Sequence, residues 1–87
     1  MKLLGRNRLQ ALYGLDDQTD KWLCSWVSEI SNANWKHPKD VLLQFPQARS
    51  MTNGIFLFRP GLHSQYIEVS MMFPLAMAIV TDLKPIN

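Results

Sequence analysis

The feature that most constrains this chain is a change of hydrophobic period at Pro46. Ahead of it, apolar residues recur at helical spacing: Trp22, Leu23, Trp26, Val27 and Ile30 fall at i, i+1, i+4, i+5 and i+8. Behind it they alternate. In "QYIEVSMMF", Ile67, Val69, Met71 and Phe73 share one face, while Tyr66, Glu68, Ser70 and Met72 share the other. Helices first and strands afterwards define an α+β domain, with two to three helices packed on one face of a small antiparallel sheet. At 87 residues the chain has room for one core, so residues 1–87 read as a single domain.

The ends of the elements are marked as clearly as their faces. "KLL" (Lys2 to Leu4) reads as an edge strand. "RNRLQALY" reads as a short helix with Leu9, Leu12 and Tyr13 at helical spacing and Gly14 placed to end it. "LDDQTD" offers N-caps for the Trp-bearing helix and puts Asp16, Asp17 and Asp20 near its positive pole, and "SNAN" ends it. In "NANWKHPKDVLLQFPQA", Pro38 suits the first position of a third helix and Asp40 its first turn. Val41, Leu42 and Phe45 supply that helix's buried face, and Pro46 stops it. Asn53-Gly54 is a hairpin signal leading into "IFLFR", which Pro60-Gly61 closes. Pro74 interrupts the next strand before "LAMAIVTDL" resumes it.

Composition excludes several classes. Hydrophobic residues make up 47% of the chain, which argues for a folded globule over disorder. A formal net charge of +2 is too small to define a nucleic-acid partner unaided. The single Cys24 removes internal disulfides and multi-Cys zinc patterns, in keeping with a cytoplasmic setting. No apolar run approaches the ~20 residues of a membrane span. Charge recurs within "MKLLGRNRLQALYGL", which argues against a cleaved signal peptide.

The series "WVSEISNANWKHPKDVLLQFPQA", "NGIFLF", "QYIEVSMMFP" and "AIVTD" resembles the HigB-type toxins of bacterial toxin–antitoxin pairs, part of the RelE-like group. That family's pattern has an Ala-x-Trp corner followed by a Pro-x-Asp-Val helix start, matched here by Ala33, Trp35, Pro38, Asp40 and Val41. The resemblance spans about three quarters of the chain. It implies a RelE-like fold, ribosome-associated mRNA cleavage that inhibits translation, and neutralisation by a cognate antitoxin protein. It implies no metal, organic cofactor, membrane or small-molecule substrate. Two departures stand out. Family members carry a basic residue where this chain reads Tyr66-Ile67-Glu68, and they end in a Thr-His-x-x-Tyr-type segment. Here Thr81 matches, Asp82 stands at the His, and the Tyr is missing.

Cleaving RNA through its 2′-hydroxyl needs a base, cationic donors for the phosphorane and an acid for the leaving oxygen. The groups available are Lys36, His37, Arg49, Arg59, His63, Tyr66 and Lys84. Arg59, His63 and Tyr66 are the catalytic candidates, Arg59 and His63 flanking one turn; Lys36, Lys39 and Lys84 are the candidates for holding RNA. His37, directly before Pro38, reads as a helix-start residue, the three tryptophans as core and Cys24 as a small buried filler. The missing family residues support a second function class. In it, a toxin-like fold without catalysis acts by binding protein, for example as a small phage-type, anti-CRISPR-like inhibitor of a host defence complex.

Overall fold

Asp16 starts the main helix as expected: its carboxylate accepts from the Thr19 N–H at 2.7 Å and from the Thr19 hydroxyl at 2.9 Å. The cap satisfies one orphan donor of the first turn and fixes where the helix begins. The computed structural model describes residues 1–52, 54–60 and 65–85. Strand β1 is Lys2–Leu4, followed by a 3-10 helix over Arg6–Leu12, helix α1 over Asp17–Asn32 and helix α2 over Pro38–Gln44. Then come β2 (Arg49–Ser50), β3 (Ile55–Phe58), β4 (Gln65–Met72), a 3-10 turn (Phe73–Leu75) and β5 (Met77–Pro85).

The five strands form one sheet in the order β1-β5-β4-β3-β2. Neighbours β2 through β5 run antiparallel, but β1 lies parallel to β5, with Lys2 opposite Met77 and Leu4 opposite Ile79. The sheet is therefore mixed, which corrects the purely antiparallel expectation. Alternation along a strand reveals its buried face but not its distant partner, and the β1–β5 pairing closes the whole chain on itself.

Three devices position β1. The Met1 ammonium donates to the carbonyls of Ile30, Ser31 and Ala33, the last at 2.6 Å, tying the strand's start to the end of α1. An ammonium there also opposes the helix's negative pole. At the strand's other end Gly5 turns the chain with φ +75°, and a Cβ built on it would lie 2.5 Å from the Val80 carbonyl oxygen. Only glycine fits that close approach. The 3-10 helix that follows buries Leu9 and Leu12, while Tyr13 stays exposed.

Both helices press on one face of the sheet. Leu23, Trp26, Ile30 and Val41 meet Phe56, Phe58, Ile67, Val69, Ala78 and Val80, and every one of these is almost fully buried. Trp26 stands edge-on to Phe58 at 5.4 Å, and Phe45 does the same from the end of α2. Trp35 is buried at the corner between the helices, where its indole N–H donates to the Gln44 side-chain oxygen at 3.1 Å. Two expectations change. Trp22 is only half-buried, although it stacks on Trp26 at 5.8 Å. Cys24 is exposed. The reason is angular: each residue turns the helix by ~100°, so Cys24 lies about 200° from both Trp22 and Trp26 and points away from them.

The expected hairpin forms between β2 and β3, closed by the Met51 N–H donating to the Ile55 carbonyl at 2.7 Å. Gly54 has φ +76°, and Asn53 lies outside the described residues, as does Gly61 of the Pro60-Gly61 pair. Among the described residues no helix is long and apolar enough to cross a membrane.

Candidate functional site

Among the described residues, the sheet face away from α1 and α2 is the more exposed of the two. It carries Leu4, Ile55, Leu57, Ser70, Met72, Met77 and Ile79, all half-buried, with the chemically capable groups gathered toward one end. There Tyr66 on β4 pairs across the ladder with Lys84 on β5. From the edge strand β2, the guanidinium of Arg49 sits 5.9 Å from the Tyr66 ring centroid, within cation–π range. Thus Tyr66 and Lys84, read separately from the sequence, stand side by side.

A bulge makes this possible. The β4–β5 register shifts between Glu68 and Val69, so that Glu68 opposes Asp82 while Val69 opposes Val80, and Thr81 is the extra residue. One inserted residue reverses the alternation of everything beyond it. Asp82 and Lys84 therefore share the open face with Tyr66 and Glu68, and Leu83 packs against the core. Thr81 turns its hydroxyl onto Glu68, donating to the carboxylate at 2.8 Å. The Lys84 ammonium lies 3.7 Å from Glu68 and 3.9 Å from Asp82. These carboxylates offset its charge locally, and at such exposures the pairs add little stability.

Arg59 follows the last paired residue of β3. The β3–β4 ladder stops at Phe58–Ile67, one position short of setting Arg59 against Tyr66. Arg59 instead lines a groove of about 270 Å³ with Trp22, Gln44, Phe45, Pro46, Gln47, Ala48 and Phe58. Behind the groove's Trp22 wall, the Trp26 indole N–H is buried without a hydrogen-bond partner. The third catalytic candidate, His63, lies outside the described residues.

Lys36 and Lys39 are exposed at the corner before and within α2, and neither adjoins the Tyr66 group in sequence or in the sheet. The corner is built for structure. The Asp40 carboxylate accepts from the N–H groups of Lys36 (2.9 Å) and His37 (3.1 Å), and these bonds hold its pKa below the usual carboxylate value. His37 is the N-cap residue there, as its place before Pro38 suggested.

Of the six residues singled out in the sequence, the ladder pairs Tyr66 with Lys84, Arg59 sits one position beyond the Phe58–Ile67 pair, and Lys36 and Lys39 lie at the α2 corner. The fold adds Arg49 over the ring and Glu68 and Asp82 beside the lysine. Arg49 was among the cations available in the sequence, but only the β2–β3–β4 register reveals its partner. The sequence matches no protein-family model and no curated protein.

Proposed function

We propose that this chain is a translation-inhibiting toxin of the RelE-like, HigB kind, which engages mRNA on the ribosome and is neutralised by an antitoxin protein. The observation that supports this reading is the Arg49–Tyr66 stack beside Lys84 on the open sheet face. Single-stranded RNA is held by planar groups on which bases stack and by cations along its backbone. A tyrosine with a guanidinium at its ring and a lysine as its cross-strand partner is also suited to offer a proton near a phosphate. Arg59 and His63 remain the other catalytic candidates under this proposal, with Lys36 and Lys39 as outlying phosphate contacts.

The decisive experiment is induced expression combined with mapping of mRNA ends on translating ribosomes. Growth arrest with new cleavage sites is the expected result, and Tyr66→Phe should lower cleavage about 10²–10⁴-fold while leaving RNA association intact. Intact mRNA in the presence of the folded, unaltered protein would end the interferase reading.

One observation favours a second reading. Lys84 is held between Glu68 and Asp82, and the rest of the open face is largely apolar. Such a face suits a protein surface better than a polyanion. In that reading the chain is a toxin-like fold that inhibits by binding protein, and its effect on growth survives Tyr66→Phe with no RNA cut.

A further inference from the structure

We propose that the groove between α1, the end of α2 and β3 is a docking pocket for a partner protein's bulky apolar side chain with a carboxylate beside it. The inference goes beyond the RNA reading, with which it shares Arg59, and concerns the groove on the helix side of the sheet.

Size is the first argument. At about 270 Å³ the groove falls just under the ~300 Å³ at which pockets for drug-sized ligands begin. One large side chain is the natural occupant. Its walls are Trp22, Phe45 and Phe58, and they are fixed by contacts of their own: Trp22 stacks on Trp26 at 5.8 Å, and Phe45 meets Phe58 edge-on at 5.4 Å. Walls already in place cost an incoming side chain little reorganisation.

The polar rim supplies the second argument. Among the described residues that line the groove, Arg59 is the charged one. It is engaged within the chain, and its guanidinium, with five N–H donors in a planar fork, is a group that can serve more than one acceptor. Gln44 adds a directed donor. Its side-chain oxygen is engaged by the Trp35 indole at 3.1 Å, which fixes the amide and leaves its NH₂ group for an acceptor. The rim thus offers donors and a positive charge above an aromatic floor. A carboxylate next to an apolar side chain complements both. RNA fits less well, since a polyanion is held by several cations and the described lining offers one beside three aromatic walls.

Two short probes test the proposal by NMR, with the Trp22 indole N–H as reporter: N-acetyl-Phe-Glu-methylamide and its Phe-Gln counterpart. The expected result is saturable binding of the glutamate probe, about tenfold or more tighter than the glutamine probe. Arg59→Gln should erase that preference while the dispersed spectrum shows an intact fold. Ala48→Trp, which fills the groove, should abolish binding of both probes, and Arg8→Ala, at an exposed cation of the 3-10 helix, should change neither. Equal affinity for the two probes, no saturable shift with either, or tighter binding of uridine monophosphate than of the glutamate probe would each overturn the proposal.

Discussion

The two faces of the sheet are made by the same strands, yet they behave as different materials. Along β4, Ile67, Val69 and Met71 are buried to within a few per cent, while Tyr66, Glu68, Ser70 and Met72 between them keep part of their surface. Beside them, Phe56 and Phe58 meet the helices, and Ile55 and Leu57 from the same short strand keep part of their surface on the other side. Both faces are rich in apolar side chains. Hydrophobicity alone therefore does not decide which face becomes the core. Helices α1 and α2 can cover only one, and α1 presents the large Trp26 to it.

The sharpest way to break this contrast is to cut into each face in turn. Trp26→Ala should cost about 3–5 kcal/mol in chemical denaturation, because it opens a cavity among Trp22, Phe58 and the α1 core residues. A loss under about 1 kcal/mol would mean that α1 does not pack as described. Trp26→Phe should cost much less, since the buried indole N–H has no partner to lose.

A smaller effect tests how the covering helix is anchored. Asp16→Ala removes the acceptor for the Thr19 N–H and hydroxyl, and should cost about 0.5–2 kcal/mol by thermal or chemical unfolding. An unchanged midpoint would show that packing, not the cap, sets where α1 starts. On the open face, Leu57→Ser should shift stability by about 1 kcal/mol or less. A core-sized loss there would erase the distinction between the faces.

The smallest effect depends on pH. The Lys36 and His37 N–H bonds depress the folded-state pKa of Asp40, so its carboxylate stabilises the fold above its unfolded-state pKa. That contribution fades as pH falls through the folded-state pKa, on the acid side of the usual carboxylate range. Asp40→Asn should flatten this part of the stability profile, and parallel profiles for the two proteins would remove Asp40 from the account.

Much of the scaffold was legible because its signals are local. Pro38 opens α2, and the α2 backbone ends just before Phe45 and Pro46, as the prolines foretold. The alternation of "QYIEVSMM" told its buried side from its open one. The exposure of Cys24 is equally local, since it follows from the residue's angle around α1 relative to Trp22 and Trp26. The site was less so. Joining Lys84 to Tyr66 needs the bulge at Thr81, which no turn residue announces, and placing Arg49 over the ring needs the register of a two-residue edge strand. The parallel seating of β1 was equally hidden, because its partner lies at the far end of the sequence.

That seating has a consequence for how the protein is made. Lys2 pairs with Met77, about 75 residues downstream, so a growing chain holds its first strand for nearly its whole length before the neighbour exists. Helix α1 and the β3–β4 hairpin close over shorter spans and are free to form early. The sheet edge at β1 waits for the last strand to be synthesised, and long-range pairings of this kind slow folding. Until β5 arrives, Leu3 and the residues destined to meet it remain available to other chains. Loss of the segment Met77–Ile79 is thus expected to release β1 as well as the end of the sheet.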